Sequence, residues 1–513
     1  MLRTWIAAAL LAGTASAAGP LDLANRRQLF LDHRFLEAAR GVRLRVHQPV
    51  KTGDILFASE PGWEIGGYNS VMETDGVYRM WYSCGPAICY ATSRDGIHWE
   101  RPALNLTTGD TRRPNNVVLG RGAGGLKGDA PGGMVFLDSA APAEERFRLA
   151  TNPGEFNSML QVYSSPDGIH WRHTHRDVMT FDASVKPHHL DSNNVIFRDP
   201  RSGKYVAYFR RNTREHNSQA RSVGRAESSE LSFGDVRRWP VVFRADDRPP
   251  SHFDPQRKGE AALTDIYVNN TIAYPWAEDA YFMFPALYYH YGAFQREFRD
   301  GPPVNAGVVD THFAASRDGV KWETYDWEPF VPLGMQGAFD SRRIYMGYGI
   351  VPSRGGGELY MYYMGTNEAH GWGRDDRNNR ILTAAGLAPG VEQRVISRVA
   401  IRRDGFVSVR AGNGGGEFTT PPLTFRGNQL VLNIDTSASG EAQVEIQDEA
   451  GRAIPGFTLA DADIIHSANV IDRPVTWNLA STLEKLEGKT IRLRFVLRDT
   501  DLYAFQFRDR PAL

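Results

Sequence analysis

Cysteine is almost missing from this chain: 513 residues contain two, Cys84 and Cys89. That excludes a small disulfide-stapled fold and any cysteine-rich metal centre. The pair flanks Gly85-Pro86, so a turn could join them in an oxidising compartment; spacing alone leaves a bridge and a free pair both open. An excess of either charge is missing too. There are 59 Lys and Arg against 60 Asp and Glu, a formal net charge of -1. Such a balance offers no basic field to a nucleic-acid backbone and no polybasic anchor to a membrane surface. Long apolar runs are absent: Trp5 to Gly13 is too short to span a bilayer. It follows Arg3 and precedes Ala15-Ser16-Ala17, the pattern of a signal peptide cleaved after Ala17. Residues 1–17 are therefore set apart from the fold, and the protein is expected to be secreted or periplasmic. No Gly-x-x-x-x-Gly-Lys-Ser/Thr loop and no His-Glu-x-x-His motif occurs; the cluster GRGAGGLKGD from Gly120 lacks the hydroxyl after its lysine.

What is abundant is aromatic. Phe, Trp and Tyr make up 11% of the chain, with 11 Trp and 20 Tyr. That suits a β-rich core, and it suits rings stacked on the apolar faces of sugars. The aromatic residues recur in register. TSRDGIHW at 92–99, SSPDGIHW at 164–171 and ASRDGVKW at 315–322 each follow a short alternating apolar stretch. Asp-Gly supplies the positive φ of a tight hairpin turn, the Ser hydroxyl bonds amides across it, and the Trp returns to cover the sheet. A second kind of hairpin recurs five times, starting at Asn69, Gly132, Asn193, Asn269 and Arg342. Each reads apolar strand, polar turn, apolar strand. Two hairpins per unit make a four-stranded blade, and five units predict an all-β fold with a five-bladed β-propeller over residues 55–410. Residues 401–410 read as its closing strands. A Gly-rich linker follows, and alternating strands over 411–513 predict a β-sandwich. Residues 18–54 form an N-terminal strand segment whose docking partner the sequence does not decide.

In a propeller the residues entering each innermost strand emerge at one mouth of the central channel. Acids stand at all five entries: Glu64, Asp129, Asp191, Asp265 and Asp340. Clustered carboxylates repel, which can raise one pKa above another. Glycosidic bond hydrolysis needs one protonated and one ionised carboxyl. Asp191, beside His188 and His189, is the leading candidate. His189, His370, Glu368, Trp63, Tyr288 and Arg342 are candidates for substrate contact, and Glu368 also for the general acid. Most of these aromatics serve packing as readily. Asp199 in FRDP reads as a turn residue, and the box acids Asp95, Asp167 and Asp318 as structural.

These boxes, with an acid ahead of each inner strand, resemble the five-bladed propeller glycoside hydrolases of families 43 and 32 and their neighbours. The opening RQLFLDHRFL, PGWEIGGYNSVMETDGVYRMWY and the closing VEIQDEAGRAIPGF resemble exported bacterial proteins of glycosyl-hydrolase type. The resemblance implies a glycosidase acting on a plant or algal oligo- or polysaccharide, with Glu64, Asp129 and Asp191 as base or nucleophile, orienting acid and general acid by position. The first is Glu where those families use Asp, and the third is Asp where they use Glu. No cofactor is required, and the resemblance permits a structural calcium in the channel. Two alternatives stay open: a lectin-like, non-catalytic propeller, and a sialidase-like enzyme, which needs three converging arginines and a Tyr nucleophile. Arg210, Arg211, Arg342 and Arg343 are available for such a triad.

Overall fold

A computed structural model describes residues 19–61, 63–107, 115–120, 126, 130, 132–152, 159–181, 190, 192–213, 220–245, 264–290, 306–480 and 482–510. The chain divides into two compact units. One spans Leu44–Ser408, and the other joins the N-terminal residues up to Arg43 with Val409 onward. Among the described residues the regular structure of the first unit is nearly all strand, with one α-helix, Asp376–Ala384, and two short 3-10 turns.

The predicted hairpins are present. In the first repeat Ile65–Thr74, Val77–Cys84, Ala87–Ser93 and Trp99–Glu100 form an antiparallel meander, turned at Asp75-Gly76 with φ of 55° and 71°. Only Gly and a few small polar residues enter that region cheaply. Cys84 and Cys89 are joined by a disulfide across the next turn. The second repeat runs Gly133–Leu137, Phe147–Thr151, Met159–Ser165 and Arg172–Thr180. The third runs Val195–Arg198, Tyr205–Thr213, Ala220–Ser228 and Val241–Phe243.

The fourth repeat differs from the expected single sheet. Its strands break midway, giving one sheet from Ile272–Ala273, Tyr281–Met283, Ala314–Ser316 and Glu323–Thr324. The other halves, Thr264–Ile266, Ala286–His290 and Gly307–Thr311, run into the fifth repeat through a parallel bridge, Val309 to Arg343. The breaks line up at Asn270, whose φ is 40°, and at Pro285, which has no N–H for the ladder. In the fifth repeat Arg343–Met346, Glu358–Thr366 and Arg394–Arg402 are completed by Val50–Lys51 and Phe57–Ala58. The last sheet thus takes its edge from residues preceding the first, which places strand Val50–Lys51 outside the expected boundary at 55. Of the 401–410 segment, Ile401 and Arg402 end the strand Arg394–Arg402 of this sheet, while Val409–Ala411 pair with Thr500–Leu502 in the other unit.

The box turns behave alike in all three copies. Ser93, Ser165 and Ser316 each accept a bond from the Gly amide at 2.9 Å and donate to the Asp carboxylate. That carboxylate accepts from the next two amides at 2.8–2.9 Å. Burial works against ionisation there, yet these bonds win and hold the Asp167 carboxyl at about 2. Each box Gly carbonyl also accepts a bond from an aromatic side chain of a neighbouring repeat: Trp81 to Gly168 at 2.6 Å, Tyr208 to Gly319 at 2.7 Å, and Tyr362 to Gly96 at 2.7 Å. Tyr205 to Asp138 and Tyr281 to Asp199, both 2.7 Å, join repeats three to two and four to three. Asp199 itself lies in the turn before Ser202. Consecutive repeats therefore touch, and the fifth touches the first.

In the second unit Gly416–Thr419, Glu441–Asp448 and Ile491–Arg498 share one sheet, while Gln429–Asp435 and Thr500–Arg508 share another. The N-terminal strands belong here: Leu21–Asp22 and Ala38–Arg40 join the first sheet, and Gln28–Leu29 the second. Phe418 and Phe495 of one sheet meet Phe30 and Phe505 at the other, with ring centroids 5.7 and 6.2 Å apart for Phe418–Phe30 and Phe495–Phe505. Burial of such rings contributes on the order of 2–3 kcal/mol each.

Candidate functional site

A cavity of about 240 Å³ lies in the first unit, lined by Ile65, Gly67, Tyr68, Tyr267, Arg343, Tyr345, Met364, His370, Arg374 and Arg394. Three repeats supply it. Gly67 and Tyr68 come from the inner strand of the first. Tyr267 follows Thr264–Ile266 in the fourth. Arg343, Tyr345, Met364, Arg394 and the loop after Thr366 come from the fifth. Alternation along a strand decides who faces in. Arg343 and Tyr345 share one face, so Arg342 falls on the other, where its guanidinium reaches the carbonyls of Ser341 and Gly386 at 3.3 and 3.4 Å.

The wall is phenolic and cationic. The Tyr267 and Tyr345 rings lie 5.2 Å apart, and the Arg210 guanidinium sits 4.6 Å from the Tyr267 ring centre while donating to its carbonyl at 2.7 Å. The Tyr68 ring passes over Gly132, where an added Cβ would lie 2.2 Å from it. Burial pushes the Tyr68, Tyr288 and Tyr345 hydroxyls up, so they stay protonated and able to donate at neutral pH. Tyr345 is 2% exposed and its hydroxyl lacks a hydrogen-bond partner among the described residues. His370 takes Tyr288 Oη at Nδ1 (3.0 Å) and Tyr267 Oη at Nε2 (3.2 Å). Tyr267 and His370 border the cavity, and Tyr288 is not among the residues that line it. Behind them Asp265 is buried against Arg221 Nη1 at 2.8 Å and His290 Nε2 at 3.2 Å. Burial opposes its ionisation, but Arg221 and His290 hold its carboxyl at about 2.

Glu368 accepts from Arg343 Nη2 at 2.9 Å and lies 3.6 Å from Arg394 Nη2. Burial raises its carboxyl above the usual range, with Arg343 working against that rise. Arg394 also pairs with Glu392 and lies 3.9 Å from Glu64, whose side chain is 70% exposed. Asp340 is placed elsewhere. It pairs with Lys51 at 2.8 Å and accepts from Tyr363 at 3.0 Å. Tyr363 and Gly365, its neighbours, alternate with the cavity-lining Met364 and so point to the opposite face. Trp63 packs in the core cluster with Tyr82 and Phe57 rather than lining the cavity. Asp129, Asp191, His188 and His189 lie outside the described residues.

The described carboxylates therefore do not gather into one repelling ring: Glu64, Asp265, Asp340 and Glu368 each have a cation nearby. No three His, Cys, Asp or Glu side chains converge among the described residues to hold a metal, and the described cavity wall, cationic as it is, does not suit a calcium ion. Tyr68, Tyr267, Tyr345, Arg374 and Arg394 were not singled out by sequence. The one signal available was local: tyrosines at strand entries, in IGGYNS, TDIYVNN and RRIYMGY.

No helix of the described residues is long and apolar enough to cross a membrane. No family model matches the chain, and no curated protein matches it. Among solved structures it is similar to a thermostable family-43 glycoside hydrolase (14% identity, 70% of this chain and 95% of that one, TM-score 0.43). It is also similar to an N-acetylgalactosamine deacetylase from F. plautii bound to blood group B trisaccharide (12%, 71% and 96%, 0.43). A third similar structure comes from work on the family-130 mannoside phosphorylases, a family containing glycoside hydrolases that target β-1,2-mannosidic linkages in Candida mannan (13%, 73% and 96%, 0.40).

Proposed function

We propose that this chain is an exported glycosidase whose five repeats are the blades of a β-propeller, carrying a β-sandwich built from both chain ends. The chain of contacts from repeat to repeat, returning from the fifth to the first through Tyr362 and Gly96, supports the propeller. The observation that carries the functional reading is the cavity itself. At about 240 Å³ it falls below the ~300–1,000 Å³ typical of drug-sized ligands, which suits one terminal sugar ring. Aromatic rings offer stacking faces, and phenols, imidazole and guanidinium groups offer donors to hydroxyls.

Hydrolysis needs a proton donor for the leaving oxygen and an ionised carboxylate for the nucleophile or its water. Asp191 and Asp129 are the proposed pair. Both immediately precede inner strands, Val195–Arg198 and Gly133–Leu137, of the class that carries Tyr68 and Tyr345 in the first and fifth repeats. Glu368 is a positioning residue in this reading, since it fixes the Arg343 and Arg394 forks. The substrate is a plant or algal oligo- or polysaccharide. The test is a screen of the purified protein on polysaccharides and aryl glycosides, with Asp191→Asn and Asp129→Asn beside it. The expected loss is ~10²–10⁴-fold in each variant with sugar binding kept; undiminished turnover in both overturns the assignment. The pairing of the described candidate acids Glu64, Asp265, Asp340 and Glu368 with cations favours a second reading, a glycan-binding propeller without turnover, and binding with no cleavage of any substrate would select it.

A further inference from the structure

Of the ten described residues lining the cavity, three are arginines and one is histidine, and none of these ten is acidic. A pocket for a neutral sugar has no need of this excess. The arginines are not equivalent. Arg343 and Arg394 are steadied by Glu368 and Glu392, so their remaining N–H groups are held in place. Arg374 is exposed, sits just before the Asp376–Ala384 helix, and its guanidinium has no ion pair among the described residues. Asp375 caps that helix through the Asn378 amide at 2.7 Å, which keeps the loop carrying Arg374 in place. The buried Tyr345 hydroxyl lies beside Arg343 and makes no close hydrogen bond among the described residues. A buried donor without a close acceptor is unfavourable, so a ligand oxygen arriving there offsets that cost. A rigid guanidinium fork matches the planar oxygens of a carboxylate and the oxygens of a sulfate far better than a hydroxyl.

We infer that the cavity selects an anionic sugar, with its carboxylate or sulfate group held at Arg374 beside Arg343 and Arg394 and with an oxygen on the Tyr345 hydroxyl. This rests on the glycosidase reading of the same cavity and names its substrate class. Uronic acids and sulfated sugars offer the same charge, so both are tested. Full-length mature protein would be titrated calorimetrically with uronic-acid oligosaccharides, sulfated oligosaccharides and neutral oligosaccharides of equal length, at low and raised salt. Charged ligands are expected to bind at least about tenfold tighter than neutral ones and to weaken as salt rises. Arg374→Ala is expected to cost about 10–100-fold and Arg374→Lys less, because Lys keeps the charge and loses the fork. Tyr345→Phe is expected to cost about 3–10-fold for every ligand.

The two charged series separate carboxylate from sulfate as the preferred group. Neutral sugars binding as tightly as charged ones, sensitive to Tyr345→Phe and indifferent to Arg374→Ala, would overturn the inference and leave the glycosidase reading standing. Failure of every sugar to bind, with an unchanged melting profile, would overturn both.

Discussion

At Ser93, Ser165 and Ser316 the chain repeats the same bonds with the same side chains; along the cavity wall every arginine and the histidine come from the fifth repeat alone. The box turns close on themselves. Their Ser and Asp satisfy local amides, and their Gly carbonyls lock onto an aromatic residue of a neighbouring repeat. The cavity draws tyrosines from three repeats but cations from one, and charges in and behind it are balanced between separate segments, as in Arg221–Asp265 and Arg343–Glu368. Repetition marks what three of the five repeats share in contacting a neighbour. Departure from repetition marks what only one place needs. Acids at the two places look alike in sequence, yet Asp167 is held ionised by backbone amides and Asp265 by Arg221 and His290.

The contrast can be broken or sharpened by measurement. The largest effect is expected at Asp265. Replacing it by Ala leaves Arg221 charged and buried, at a cost of about 3–5 kcal/mol in urea unfolding; a loss below about 1 kcal/mol would make this buried acid no different from a surface one. The same residue carries a pH signature. Its folded pKa of about 2 lies below the unfolded value near 3.8, so its contribution is complete above the unfolded pKa and disappears as pH falls through 2. The stability difference between wild type and Asp265→Asn should therefore shrink between about pH 4 and pH 2; a constant difference would show that the ion pair is not its source.

Next is Gly168→Ala. The position has φ of 79°, and a Cβ would stand 2.5 Å from the Trp81 ring. Backbone strain and overpacking together predict a loss of about 2–5 kcal/mol. Near-native stability by thermal melting would mean that the box does not lock neighbouring repeats together. Smaller again, Ser165→Ala removes the acceptor for the buried Gly168 amide and should cost about 1–2 kcal/mol; no change would assign the turn to Asp-Gly alone. Smallest is Arg374→Ala, which should leave stability within about 0.5 kcal/mol. A large loss in melting temperature would move Arg374 from the ligand side of the comparison to the structural side.

This division explains what could be read from the sequence. The box turns and hairpins were legible because Asp-Gly and alternating apolar residues act locally. The split in the fourth repeat was harder, because Pro285 and Asn270 disturb neighbouring strands only once those strands are paired. Placing Asp340 failed for a simpler reason. Proximity to an inner strand does not tell which face a side chain takes, and Lys51, its partner, lies 289 residues away. A similar one-residue difference separates Arg342 from Arg343. The helix Asp376–Ala384 had a legible start in Asp375, but its apolar positions, Ile381 and Leu382, are too few to announce it. The arginines of the cavity come from separate segments with no shared spacing, so no window of sequence contains the site.

The strands Leu21–Asp22, Gln28–Leu29 and Ala38–Arg40 pair only with residues beyond 415. A chain made from its N-terminus therefore carries unpaired strand edges while nearly four hundred further residues are assembled, and the last pairing to form involves one of the first segments made. Closing so large a loop is slow. Such edges invite pairing with other chains in the meantime, so truncation after the repeats should yield a product that aggregates even though every repeat is intact.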